Sequence, residues 1–327
     1  MKAVVYTRAG GSEVLEIQQR PDPVPGPSQV RVGVRASALN RADISQRLGN
    51  YPAPPGSPPD IPGLEYSGVV DAIGPNVTMW KIGDRVMGIV GGGAHAQMLL
   101  AHEGEVMAVP RGLSMEEAAA IPEVFLTAYD AMFAQLRMSA GETLLIHAAG
   151  SGVGTAAVQM GRVAGIRTIG TSRSADKLER ARNLGLNDAI VVTDDQWPER
   201  VRALTGGKGA DGVLDLVGAA YLQGNLECLA QRGCLISVGL TSGASATLDM
   251  RMFMRKRLTM IGTVLRARGP DEKIPLVQDF SAGMLPLFED GQLVPVVDSV
   301  FSFDDIRKAH DRMESNDSFG KLVLVWS

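Results

Sequence analysis

Cysteine is nearly absent from this chain. Two thiols in 327 residues, Cys228 and Cys234, do not imply a disulfide framework and cannot furnish a four-cysteine zinc site. Both are expected reduced in the core. Histidine is equally sparse: His95, His102, His147 and His310 lack the paired spacing of a metal-ligand set, and no metal site is read here. The formal net charge of −4 supplies no field that would draw in a nucleic acid or an anionic membrane surface. No run approaches the ~20 apolar residues of a spanning helix. Met1 to Leu15 reads as two short strands around the Ala9–Ser12 turn, without the basic end and unbroken apolar stretch of a signal peptide. A cytoplasmic protein without nucleic-acid or membrane partners is the expectation.

The chain does have turns and length. With 38 Gly, 18 Pro and 45% hydrophobic residues it is an ordinary globular sequence, and 327 residues exceed what one core usually holds. Up to about Ile121, short β-branched runs (Val30–Val34, Tyr66–Ile73, Arg85–Val90, Val106–Pro110) alternate with Pro and Gly, as in a small barrel. The proline-heavy stretch Tyr51–Pro62 reads as an ordered surface loop. From Pro122 the texture becomes strand–helix alternation, the mark of a parallel sheet. Strands are expected at Thr143–His147, Thr168–Thr171, Ala189–Val192, Gly212–Leu216 and Cys234–Val238, and helices at Gly152–Val163, Ala175–Leu184, Gln196–Thr205 and Tyr221–Leu229. The last segment returns to short strands, with a helix near Phe303–Met313 and a closing strand Lys321–Val325. The expected organisation is an α/β domain over 123–262 inserted into a β-barrel domain formed by 1–122 and 263–327.

The strand Thr143–His147 runs through Ala148-Ala-Gly-Ser-Gly-Val-Gly154 into a helix, the context of a pyrophosphate-binding loop. In G-x-G-x-x-G register Ala149 and Ser151 replace the first two glycines and Gly154 is kept; Ser151, Gly152, Val153 and Gly154 are the candidate phosphate-side residues. An NAD site usually carries an acid at the end of the next strand. Here Ser172 stands in that place, with Arg173 and Lys177 beside it. A hydroxyl and two cations suit a 2′-phosphate, so the expected cofactor is NADPH.

Together with the domain order, Leu64-Glu-Tyr-Ser-Gly68 and Gly320-Lys-Leu-Val-Leu324 resemble the medium-chain dehydrogenase/reductase superfamily along essentially the whole chain. Asn40-Arg-Ala-Asp43, Phe125-Leu-Thr-Ala-Tyr129, Ser151–Ala157 and Gly262–Arg268 resemble its quinone oxidoreductase branch, in particular the tumour-suppressor-inducible group. The resemblance implies a Rossmann doubly wound sheet inserted into a GroES-like catalytic domain. It also implies no zinc: Asn40 and Leu64 stand where the zinc-dependent relatives carry a cysteine and a histidine, and the lobe of four structural cysteines is missing. It places Asn40, Asp43 and Tyr51 beside the cleft between domains, with Asn40 and Tyr51 as the catalytic candidates and Asp43 on the cofactor side. Thr127, Gly239, Leu240 and Leu265 resemble positions that line the nicotinamide half. Many relatives carry Asn-Tyr after the third Rossmann strand; Val191-Val192 stands there instead.

Without a metal or a Ser-Tyr-Lys relay, an alkoxide would lack strong stabilisation, so an acceptor that delocalises charge is expected. The readings are an NADPH-dependent quinone oxidoreductase, an NADPH-dependent alkenal or enone reductase, or a cofactor-binding protein with little turnover. Met250–Met254 reads as adaptable lining or as packing, and Arg255–Arg257 as a solvated turn. A homodimer joined at the sheet edge near Leu235–Thr247 is expected.

Overall fold

The computed structural model describes residues 1–326. In chain order the elements are β1 (Lys2–Tyr6), β2 (Leu15–Gln19), β3 (Gln29–Ala38), α1 (Arg41–Arg47), β4 (Glu65–Ile73), β5 (Arg85–Ile89), β6 (Met98–His102), β7 (Val106–Ala108), α2 (Met115–Ala119) and α3 (Pro122–Tyr129). There follow β8 (Thr143–Ile146), α4 (Gly152–Val163), β9 (Arg167–Ser172), α5 (Ala175–Arg182), β10 (Asp188–Val191), α6 (Trp197–Leu204), β11 (Ala210–Asp215), α7 (Leu222–Cys228), β12 (Leu229–Ser237), α8 (Met250–Lys256) and β13 (Thr259–Gly262). The chain closes with α9 (Pro270–Glu289), β14 (Val297–Ser302), α10 (Ile306–Glu314) and β15 (Lys321–Val325).

These divide into two compact units, Met1–Leu126 with Leu265–Ser327, and Thr127–Val264. In the first, β14-β15-β3-β4-β5-β7 form a sheet to which β6 adds by pairing with β3; every ladder is antiparallel except β14 with β15. Alternation along β3 turns Val30, Val32 and Val34 inward against Tyr66, Val70, Val86 and Val106. The return of the chain as β15 seats Lys321 within this unit.

The second unit is a six-stranded parallel sheet in the order β10-β9-β8-β11-β12-β13. The strand order reverses between β8 and β11, which defines the crevice at the carboxyl ends where such sheets bind ligands. Leu145, Ile169, Val213 and Leu235 pack one face against Trp197, Val201 and Leu226.

Three expectations are corrected. The segment after β13 is not short strands alone: α9 is a 20-residue helix that contains Pro275 and Pro286. Its prolines disguise it in sequence, since each removes a backbone donor. The run Met250–Lys256 is a helix capped by Asp249, and Lys256 is not part of a solvated turn, because its ammonium donates to the carbonyls of Leu226, Glu227 and Leu229 at 2.7–2.8 Å. The segment from Leu235 does not form the sheet edge either. β12 is flanked by β11 and β13, and the edge strand is β13.

Candidate dinucleotide and acceptor site

Strand β8 ends at Ile146, and the left-handed Ala148 (φ 51°) turns the chain toward α4. Ser151 caps the helix, its Oγ accepting from the Gly154 amide at 3.1 Å. Gly154 has no alternative: a Cβ there would stand 2.5 Å from the Ala148 carbonyl oxygen and 2.8 Å from the Ala149 backbone. One face further along, a Cβ on Gly161 would meet Thr168 at 2.6 Å, so both glycines let α4 lie close on the sheet. Ser151, Gly152 and Val153 remain partly exposed at the helix start, where amide donors and the helix dipole favour an anion. The loop fits a dinucleotide pyrophosphate.

On the neighbouring strand, the Ser172 hydroxyl oxygen accepts from the Ser174 amide at 3.1 Å, and Ser174 caps α5 by accepting from the Lys177 amide at 3.3 Å. Arg173 is exposed and Lys177 half-buried at this helix start. Beneath them lies a buried chain that the sequence did not reveal. Asn225 donates to the Asp215 carboxylate at 3.2 Å, which leaves its Oδ1 to accept from His147 Nε2 at 2.6 Å. His147 Nδ1 must then accept from the Thr171 hydroxyl at 2.8 Å. Burial lowers the His147 pKa, consistent with this neutral tautomer. Asp215 also accepts from the amides of Val217 and Gly218 at 2.8 and 3.0 Å, so one network ties together the ends of β8, β9 and β11. The Tyr221 ring stacks on Trp197 (5.1 Å, 28°) and meets the His147 edge, and the Arg173 charge reaches the Tyr221 phenol. A lone His ending a strand was the only signal available.

Gly239 and Leu240 follow β12. A Cβ on Gly218 would lie 2.9 Å from Leu240 Cα, and one on Gly239 would lie 2.8 Å from the Leu216 oxygen, so the loops after β11 and β12 run backbone against backbone. Gly239 is partly exposed and the Leu240 side chain exposed. Thr127 is buried on α3. Beyond the second unit, Leu265 is buried and its carbonyl accepts from the Arg268 amide at 3.2 Å. The Val191 carbonyl accepts from Arg200 at 2.9 Å.

In the first unit, Asn40 precedes α1 and its amide is taken up internally. Nδ2 donates to Glu65 at 2.9 Å and to the Ala38 carbonyl at 3.3 Å, while Oδ1 accepts from Lys321 at 2.7 Å. Asp43 is fully buried, and its two oxygens accept from the amides of Asn40 (2.7 Å) and Gly63 (2.9 Å). Burial raises its pKa, opposed mainly by the Asn40 amide. Lys321 spends its three protons on Glu65 (2.6 Å), Leu39 O (2.6 Å) and Asn40. Glu65 in turn accepts from the Glu123 amide at 2.8 Å, capping α3. Tyr51 lies with its ring 4.9 Å from the Arg266 guanidinium, which is anchored to Gly91 O (2.7 Å), Gln46 (2.5 Å) and Tyr51 O (3.3 Å). Burial pushes the Tyr51 phenol up, so it stays a donor near neutrality. Leu64 is a buried apolar side chain and Asn40 an occupied amide, a donor set that does not fit zinc. The sequence singled out neither Glu123, Lys321 nor Arg266, whose partners lie far away along the chain.

Residues 26–111 match the alcohol dehydrogenase GroES-like domain family, and residues 152–287 the zinc-binding dehydrogenase family. The chain is 33% identical to a quinone oxidoreductase of Pseudomonas aeruginosa over 99% of both chains. Among solved structures, an NAD-dependent alcohol dehydrogenase matches with 36% identity and a TM-score of 0.89, covering all of both chains. The Escherichia coli quinone oxidoreductase in complex with NADPH matches with 28% identity and a TM-score of 0.90, covering 99% of this chain and 100% of that one. The fold and the nucleotide loop define a dehydrogenase/reductase scaffold. The chain belongs to the medium-chain dehydrogenase/reductase superfamily, with quinone oxidoreductases among its full-length relatives.

Proposed function

We propose that this protein is a zinc-independent, NADPH-dependent oxidoreductase that reduces quinones. The carrying observation is the binding half: the Ala148–Gly154 loop has the closeness a pyrophosphate requires, and Ser172, Arg173 and Lys177 stand where an acid would otherwise exclude a 2′-phosphate. NADPH supplies the hydride when bound. Ser151, Gly152, Val153 and Gly154 hold its pyrophosphate, Arg173 and Lys177 its 2′-phosphate, and Thr127, Gly239, Leu240 and Leu265 its nicotinamide half. Tyr51 donates a hydrogen bond to the acceptor oxygen. Asn40 and Asp43 act as positioning residues, since their polar atoms are engaged within the first unit. The acceptor must spread the incoming charge over a π system, as a quinone does.

The protein works in the cytoplasm as a homodimer, paired through β13. That edge strand exposes Met260, with Met250 and Met254 exposed on the preceding helix. Light-scattering mass tests this: a dimer is expected at micromolar concentration, and a monomer contradicts it. The activity is tested by presenting 1,2- and 1,4-quinones and an alkenal in parallel to purified protein with NADPH, and by identifying the products. Hydroquinone formation is expected. A saturated carbonyl as the sole product moves the assignment to the double-bond reductases, and NADPH binding without turnover moves it to a non-catalytic role.

A further inference from the structure

The segment Tyr51–Pro62 carries proline at 52, 54, 55, 58, 59 and 62, so six of its twelve residues have no backbone N–H to donate. Such a segment is rich in carbonyl acceptors and poor in donors, and it has to be held by donors from elsewhere in the fold. One turn closes within it, the Ser57 amide donating to the Pro54 carbonyl at 3.1 Å. The other ties lead back to a single side chain. Arg266 is 5% exposed, and its guanidinium points N–H groups at three separate neutral oxygens: Nε donates to Gly91 O at 2.7 Å, Nη1 to Tyr51 O at 3.3 Å and Nη2 to Gln46 Oε1 at 2.5 Å. From Gln46 on α1 the bonds continue. Its Nε2 donates to the Tyr6 phenol oxygen at 3.0 Å, and the Tyr6 hydroxyl donates to Pro59 O. Tyr51 and Pro59, near the two ends of the segment, are thus tied into one chain of donors that begins at Arg266.

The middle of the segment is held by fit. A Cβ on Gly91 would stand 2.2 Å from Ser57 Oγ and 2.7 Å from Pro54 Cγ, and one on Gly93 would stand 3.1 Å from Pro58 Cγ. The segment therefore lies directly on the Gly91–Gly93 backbone, whose first carbonyl Arg266 also holds. The same guanidinium sits 4.9 Å from the centre of the Tyr51 ring. With its backbone and ring both engaged, the Tyr51 phenol makes no hydrogen bond among the described residues and keeps its proton to offer. Every residue of this arrangement belongs to the first unit.

We propose that Arg266 is the positioning residue for Tyr51: its planar fork fixes the Tyr51 backbone, the Tyr51 ring and the far end of the proline-rich segment, so that the free phenol is presented in one orientation. This rests on the reading in which Tyr51 donates to the acceptor oxygen. Lysine cannot take the place of Arg266, because one ammonium on a flexible stem has no fork with which to reach three separate oxygens and lie over the ring at once.

The test uses Arg266→Lys, Tyr51→Phe, the two together, and Gln46→Met, read by ¹⁹F NMR of fluorotyrosine-labelled full-length protein and by quinone-dependent NADPH oxidation. The five tyrosines give five signals, and Tyr51→Phe assigns the one of interest. In the expected result Arg266→Lys moves the Tyr51 signal to the shift of an exposed, freely rotating tyrosine, while Tyr66, Tyr129 and Tyr221 stay in place and report an intact fold. Its kcat/KM for the quinone falls about tenfold, and in the Tyr51→Phe background the same substitution costs only about twofold. Gln46→Met removes one anchor of the guanidinium together with the donor to Tyr6, so the Tyr51 signal broadens and the Ser57 amide exchanges faster with solvent. A wild-type Tyr51 signal in Arg266→Lys overturns the positioning role, and so does an equal loss of kcat/KM in both backgrounds. Should Arg266→Lys not fold, an unchanged Tyr51 signal and unchanged Ser57 exchange in Gln46→Met overturn it instead. Absence of quinone-dependent NADPH oxidation in wild type, with the Tyr51 signal still released by Arg266→Lys, removes the reductase reading and leaves the hold on the segment standing.

Discussion

On the proposed reading, cofactor choice turns on Arg173 and Lys177. Replacing both by Ala is expected to weaken NADPH binding tenfold or more, about 1.4 kcal/mol, and to leave NADH binding nearly unchanged. Titration calorimetry with both cofactors checks this, and added salt should erode the wild-type preference. Gly154 carries a steric claim: Gly154→Ala forces backbone apart from Ala148 and Ala149, at a cost of roughly 1–3 kcal/mol, with NADPH affinity falling alongside. Denaturant midpoints and the same calorimetry read both effects. Glu123 gives a pH-dependent prediction. Its folded pKa, about 7, lies above its ordinary 4.5, so the folded state pays increasingly for ionising it as pH rises through that window. Relative to wild type, Glu123→Gln should therefore gain stability from pH 4.5 to 7 and hold the gain above it, as urea melts at several pH values will show.

At the scale of elements, Lys321 ties the closing strand β15 to β4 and α1 through Glu65 and Asn40. Lys321→Met leaves the Glu65 carboxylate buried and unpaired, which should cost about 3–5 kcal/mol in thermal or urea unfolding. An effect near zero would mean that the pair is solvated. This pair also shows what the sequence could and could not reveal. Helix α4 was legible to the residue, and β8 and β9 to within one, because a short apolar strand, small residues and a helix are local signals. Helix α9 was not, because two prolines contradict its period. The turn from β8 into α4 was legible for the same local reason. The network of Asn40, Glu65 and Lys321 was not, because Asn40 and Lys321 meet only after the chain has folded back from nearly three hundred residues away.

For the whole molecule, acid sensitivity follows from buried imidazoles. Burial holds His95 and His310 down to about 3, against an ordinary 6.5, so the unfolded chain takes up protons that the folded chain refuses. Stability should fall as pH drops from about 6.5 toward 3. The central claim, that this scaffold moves reducing equivalents from NADPH to a quinone without zinc, is tested most directly by one assay. Purified protein, exhaustively treated with chelator, is given NADPH or NADH with a 1,2-quinone, and initial rates of cofactor oxidation are compared. Quinone-dependent oxidation that persists after chelation and favours NADPH is the predicted result; loss of that oxidation with recovery on added zinc, or a preference for NADH, would contradict the account.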